Sequence, residues 1–96
     1  MPVEDFIDLC KAKLRLYLAQ GTVPDEYDIY VLWKDFWTVG STQDNIKDLN
    51  NQKCVLGTSI AGAGYYEFTY VGLEEKLYLE AFTNTDSEEY DLSQNV

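Results

Sequence analysis

The sequence predicts an α+β domain in which an N-terminal helix packs on a four-stranded, mostly antiparallel sheet. Three observations carry that expectation. Residues 3–20 repeat apolar side chains at helical spacing. Residues 53–82 divide into three short β-rich runs separated by tight turns, the pattern of an antiparallel meander. Residues 29–33, IYVLW, add a fourth run rich in β-branched and aromatic residues.

In the helix, Phe6, Ile7, Cys10, Leu14, Tyr17 and Leu18 fall on one face, with Leu9 and Leu16 widening it. Glu4 and Asp5 at its start, with Lys11, Lys13 and Arg15 further along, suit the helix dipole, and Gly21 is a natural stop. An apolar arc this wide must pack against something, most simply a sheet. Residues 22–28, TVPDEYD, read as a loop because Pro24 and the acidic cluster punctuate them. The run 29–33 is apolar on both faces, as a central strand covered on both sides would be. Residues 38–51 turn polar and read as a loop, with one short helical turn over 44–49. The remaining strands are 53–60, 65–71 and 76–82, joined by turns at 61–64 and 72–75. In the last of them Leu77, Leu79 and Ala81 alternate with Tyr78, Glu80 and Phe82, so that one face meets the helix. The domain therefore spans residues 1–82, and 83–96 form an acidic, mobile tail with four acidic residues and no basic one.

Composition bounds the function. Ninety-six residues, 46% of them hydrophobic, suffice for one domain with a modest core. No apolar run reaches the roughly 20 residues that span a bilayer. The start, MPVEDFIDLC, is acidic where a signal peptide is basic, so a cytoplasmic location is expected. Seventeen acidic residues against seven basic give a net charge of −10, which repels nucleic acid and anionic membranes and attracts a basic protein surface. The chain has no histidine, which removes Ser-His-Asp and Cys-His catalysis and histidine-ligated metal sites. Cys10 and Cys54 stand amid apolar neighbours and read as buried thiols. The glycines of GTSIAGAG, 57–64, lack the lysine and following helix of a phosphate-binding loop and read as a hairpin turn. Glu67 and Glu80 on neighbouring strands are the best pair for acid–base work, although like charges on a solvated sheet face are commonplace. Asp25, Glu26 and Asp28 lack the spacing of a calcium loop. No catalytic activity, metal or cofactor is expected.

Binding features are stronger. Eight tyrosines are many for this length, and Tyr30, Tyr65, Tyr66, Tyr70 and Tyr78 fall in predicted strands. Alternation forbids all five from facing the helix, so Tyr65 and Tyr78 are candidates for an outer binding face. Both tryptophans lie in WKDFW, 33–37. Trp33 ends a strand and is assigned to the core. Phe36 and Trp37 are expected to bury over one end of the sheet; exposed, they become the first candidates for a binding hot spot. The tail motif SEEYDL contributes Glu88, Glu89 and Tyr90, an acidic–aromatic combination suited to a basic apolar groove.

The runs DFIDLCKAKLRLYL (5–18), IYVLW (29–33), LNNQKCVLGTS (49–59) and GYYEFTYVGLEEKLYLEAF (64–82) resemble, in the same order, a family of small proteins of unknown function encoded by phages and prophages of Gram-positive bacteria. The resemblance implies a phage origin and action in the cytoplasm of an infected or lysogenic host. It supplies no catalytic residues. Measured against that family, residues 34–45 look like an insertion, part of an inserted loop over 34–51, and the tail after Phe82 looks longer. The expected function is that of a small acidic phage accessory protein binding a host or phage protein with a basic surface, without direct contacts to nucleic acid or membrane. The alternatives are a nucleic-acid-mimicking inhibitor of a DNA-binding protein and a self-associating virion or assembly component, in the simplest case a homodimer.

Overall fold

The structure, a computed structural model, describes residues 2–38, 50–82 and 86–92. One helix, α1 (Val3–Leu18), precedes five strands: β1 (Ile29–Thr38), β2 (Asn50–Thr58), β3 (Tyr65–Val71), β4 (Lys76–Ala81) and β5 (Asp86–Asp91). The strands lie side by side in chain order, every neighbouring pair antiparallel. The class is α+β as the sequence predicts, with five strands in place of four.

The helix begins without a side-chain cap; Pro2 occupies the capping position and its carbonyl accepts the Phe6 N–H at 3.0 Å. Pro2 has no amide hydrogen, so the first turn has one fewer orphan donor to satisfy. Phe6, Ile7, Cys10, Leu14 and Leu18 are buried, one stripe at 3.6-residue spacing. Leu16 does not widen that stripe: two residues from Leu14 it points to the opposite side of the helix and is exposed. The stripe packs on Cys54 and Leu56 of β2, Tyr66, Phe68 and Tyr70 of β3, and Leu77, Leu79 and Ala81 of β4. The burial pattern of β3 and β4 alternates as a sheet with one covered face requires.

Three expectations are corrected. First, the strand read as 29–33 continues to Thr38, so residues 34–38 belong to β1 and not to an inserted loop; they pair with Asn50–Cys54, which likewise start β2 earlier than 53. The polar residues of 50–53 sit on a strand because the ladder with β3 satisfies their backbone whatever their side chains. The rest of the expected loop, with its helical turn, lies outside the described residues. Second, β1 is an edge strand and not a central one. Its apolar residues on both faces, which suggested cover on both sides, are largely uncovered. Third, the tail is no solvated end over 86–91. Those residues form β5 on β4, with Tyr90 and Leu92 packed against the core margin. The carboxylates of Glu88 and Glu89 do not prevent this, because an edge strand leaves them access to water and Lys76 Nζ meets Glu89 Oε2 at 3.1 Å.

Turns close as their residues allow. Between β2 and β3, Gly62 takes φ 79° and Ala63 N–H donates to the Ile60 carbonyl at 3.2 Å. Between β3 and β4 the turn at 72–75 ends on Glu75 at φ 52°, a left-handed conformation uncommon for a side chain of this size.

Candidate functional site

The helix covers one face of the sheet, and among the described residues nothing covers the other. Paired residues share a face, so the register assigns that outer face directly. Tyr30 of β1 lies opposite Gly57 of β2, which lies opposite Tyr65 of β3. Phe82, just past β4, stacks on Tyr65 with ring centroids 4.8 Å apart and planes 13° from parallel, while its N–H donates to the Tyr65 carbonyl at 3.0 Å. In the next row Trp33 lies opposite Val55.

A bulge at Val31–Trp33 determines which residues join them. Val31 pairs with Leu56 and Trp33 with Val55, so Leu32 is the extra residue of β1. Its side chain rests over Gly57, where an added Cβ would stand 3.1 Å from Leu32 Cδ1. Glycine at 57 thus leaves the seat that Leu32 occupies. Tyr30, Leu32, Trp33, Tyr65 and Phe82 are each between 44 and 59% exposed. Together with Val55 they form an apolar, largely aromatic patch at one end of an open sheet face. Its neighbours on the same face are charged: Glu67 and Glu80 directly opposite each other, with Lys53 Nζ 3.5 Å from Glu67 Oε1.

The sequence-based candidates divide between the two faces. Tyr65 stands inside the patch. Tyr78 and Glu89 face each other further along the same face, and the Tyr78 hydroxyl donates to Glu74 Oε1 at 2.7 Å. That bond to a carboxylate raises the Tyr78 pKa above its ordinary 10.0, and the carboxylate of Glu89 raises that of Lys76. Trp37, opposite Asn51, is on the outer face at the far end of β1 and 41% exposed. Phe36, opposite Gln52, is on the helix side, yet 58% exposed because β1 lies beyond the helix. The expected burial of Phe36 and Trp37 is therefore corrected, and so is the assignment of Trp33, 48% exposed, to the core. Glu88 and Tyr90 turn to the helix side, opposite Leu79 and Leu77. Lys13 Nζ lies 5.1 Å from the Tyr90 ring centroid, and partial burial pushes the tyrosine pKa up.

Tyr30, Leu32, Trp33 and Phe82, which complete the exposed patch, are not among the sequence-based candidates. Straight alternation through 29–33 hides the bulge, and only Gly57, a glycine within a predicted strand, hinted at close approach by another side chain.

Glu67 and Glu80 do meet across the ladder, but on a flat, open face and beside Lys53. Asp25, Glu26 and Asp28 line an open groove of about 540 Å³ together with Arg15, whose guanidinium lies 5.6 Å from the Tyr27 ring centroid. Among the described residues no group of three or more Cys, Asp or Glu is placed to hold a metal ion. A second groove, of about 380 Å³, runs between the end of α1 and the β2–β3 turn, lined by Tyr17, Leu18, Val23, Ile60 and Tyr66. Cys10 and Cys54 are free, buried and in contact, and burial pushes the Cys10 thiol far above its ordinary value. Among the described residues no helix is long and apolar enough to cross a membrane.

These features define a small α+β domain, one helix on a five-stranded antiparallel meander, with its second sheet face open and aromatic at one end. The profile of a family of unknown function, DUF6275, matches residues 7–92, and the chain belongs to that family. No curated protein and no solved structure matches it.

Proposed function

We propose that this chain is a small, acidic, non-catalytic binding protein that holds a host or phage protein against its open sheet face. The observation that carries this reading is the outer patch of Tyr30, Leu32, Trp33, Tyr65 and Phe82, bordered by carboxylates on a chain of net charge −10. Aromatic anchors in a partly apolar surface supply most of the energy at protein interfaces, and an acidic surround favours a basic partner and speeds its arrival. The resemblance to phage and prophage proteins of Gram-positive bacteria supports placing that partner in the cytoplasm of an infected or lysogenic cell.

The test is capture from a bacterial lysate with wild type and with a Trp33→Ser/Tyr65→Ser variant, each eluted with rising salt. A partner with a basic surface should be retained by wild type, released as salt screens the charges, and lost in the variant. Partner sets that do not differ between the two proteins would remove the patch from consideration. Retention that does not weaken with salt would remove the electrostatic part.

A further inference from the structure

The two edges of the sheet differ in kind. In β5 four of six residues, Asp86, Glu88, Glu89 and Asp91, are acidic, a common protection against unwanted strand pairing. In β1 only Lys34 and Asp35 of ten residues are charged, and they cancel. Tyr30, Val31, Leu32, Trp33, Phe36 and Trp37 are all between 39 and 59% exposed, on both faces. Among the described residues no strand pairs with the outer side of β1. The Phe36 N–H is taken up by a carboxylate of β1 itself, Asp35 Oδ1 at 2.8 Å, in an exposed bond. A ten-residue, neutral, apolar strand edge of this kind is a template for another strand.

We propose that β1 pairs antiparallel with β1 of a second copy, joining two five-stranded sheets into one across a two-fold axis. This inference rests on the same exposed strand as the binding reading above but does not depend on a heterologous partner. Charge favours a second copy as occupant. Lys34 and Asp35 cancel within β1, so another β1 matches the strand edge in neutrality and apolarity, whereas the basic partner of the binding reading is drawn by Glu67 and Glu80 on the outer face and not by the edge. Pairing β1 with β5 of the next copy would leave both outer edges open and build a chain without end; pairing β1 with itself closes. Area is sufficient only for a modest dimer. Four aromatic rings at about half exposure offer roughly 300–500 Å² per chain. With Val31, Leu32 and the strand backbone added, a pair approaches the about 1,200 Å² at which specific interfaces begin. A two-fold axis normal to the sheet keeps both helices on one side and makes the two outer faces continuous.

Sedimentation velocity across a concentration series, at low and high salt, tests this. The expected result is a reversible shift from 11.0 kDa toward about twice that mass, stronger at high salt. Two chains of net charge −10 repel, and salt shortens the range of that repulsion from about 10 Å at 0.1 M to 3 Å at 1 M. This salt response is opposite in sign to that of basic-partner capture, so the two readings fail separately. Phe36→Lys and Trp37→Lys should weaken the dimer at least tenfold while each variant still unfolds in a single cooperative urea transition. Lys34→Ala/Asp35→Ala, which releases the Phe36 N–H and keeps the strand neutral, should tighten it. A wild-type monomer at every concentration and salt would overturn the proposal, as would a dimer of unchanged affinity in both lysine variants.

Discussion

Replacing Gly57 by alanine probes the bulge that builds the outer patch, because its effect depends on where Leu32 lies. The φ of Gly57 is not in the left-handed region, so alanine fits the backbone, and removing glycine from a strand is worth about 0.5–1 kcal/mol. Against this, the new Cβ would stand 3.1 Å from Leu32 Cδ1, so that Leu32 must give way by a few tenths of an ångström, with Cγ and Cδ2 at 3.4 and 3.6 Å. Leu32 is 59% exposed and gives way by rotating outward; at about 1.5–3 kcal/mol for full burial of a leucine, losing the whole buried remainder of its surface costs at most about 0.6–1.2 kcal/mol. The two effects nearly cancel. Gly57→Ala should therefore be neutral within about 0.5 kcal/mol in wild type but stabilising by about 0.5–1 kcal/mol in a Leu32→Ala background. Urea denaturation of the four proteins at equal slope measures the coupling, expected near 1 kcal/mol. Equal effects of Gly57→Ala in both backgrounds would mean that Leu32 does not sit over Gly57, and the patch would lose its geometric basis.

Three further outcomes are expected. Glu80→Lys converts the like-charged pair with Glu67 into an opposite-charged one and should raise stability by about 0.2–1 kcal/mol in urea melts at low salt, an increment that fades as salt is added. Cys10 and Cys54, buried and in contact, should react with a thiol reagent only as fast as the domain opens, so their modification rate should rise as stability falls across variants and slow as stability increases; immediate reaction of either would place it at the surface. Alkali should destabilise the fold. Burial raises the Tyr66 and Tyr90 pKa values above 10.0, so their contribution is intact below pH 10 and is lost as pH climbs through the raised values. The Lys76 ion pair, raised from 10.5, follows the same direction. Thermal melts from pH 8 to 11 with phenolate absorbance should show a plateau and then a fall; an increase in stability over that range would contradict the burial of these rings.

The helix was readable, Leu16 apart, because its buried stripe needs nothing beyond period 3.6, and the inner faces of β3 and β4 followed from period 2. What could not be read depends on partners distant in the chain. β5 has the composition of a solvated tail, and only the ladder with β4, the Lys76–Glu89 ion pair and the seat of Tyr90 on the core make it a strand. Trp33 resembles a core residue, but β1 is at the edge, and strand order is not written in any local pattern. The bulge at Leu32 then shifts the faces by one residue, so alternation before and after it cannot be continued. Of the binding candidates, Tyr65 and Tyr78 were legible from alternation alone. Phe82, placed correctly on the face opposite Leu77 and Leu79, went unnoticed because its partner, Tyr65, is seventeen positions away.

The most direct check on the open, aromatic β1 is acrylamide quenching of two single-tryptophan variants, Trp33→Phe and Trp37→Phe, in dilute solution. Acrylamide is neutral, so a chain of net charge −10 does not exclude it as it would iodide. Trp33 at 48% and Trp37 at 41% exposure should both emit as solvated indoles and quench readily, with protection appearing only when a partner or a second copy covers the strand. Blue-shifted emission that resists quenching in the dilute monomer, at either position, would mean that β1 is already covered within the chain and that its aromatic residues are core.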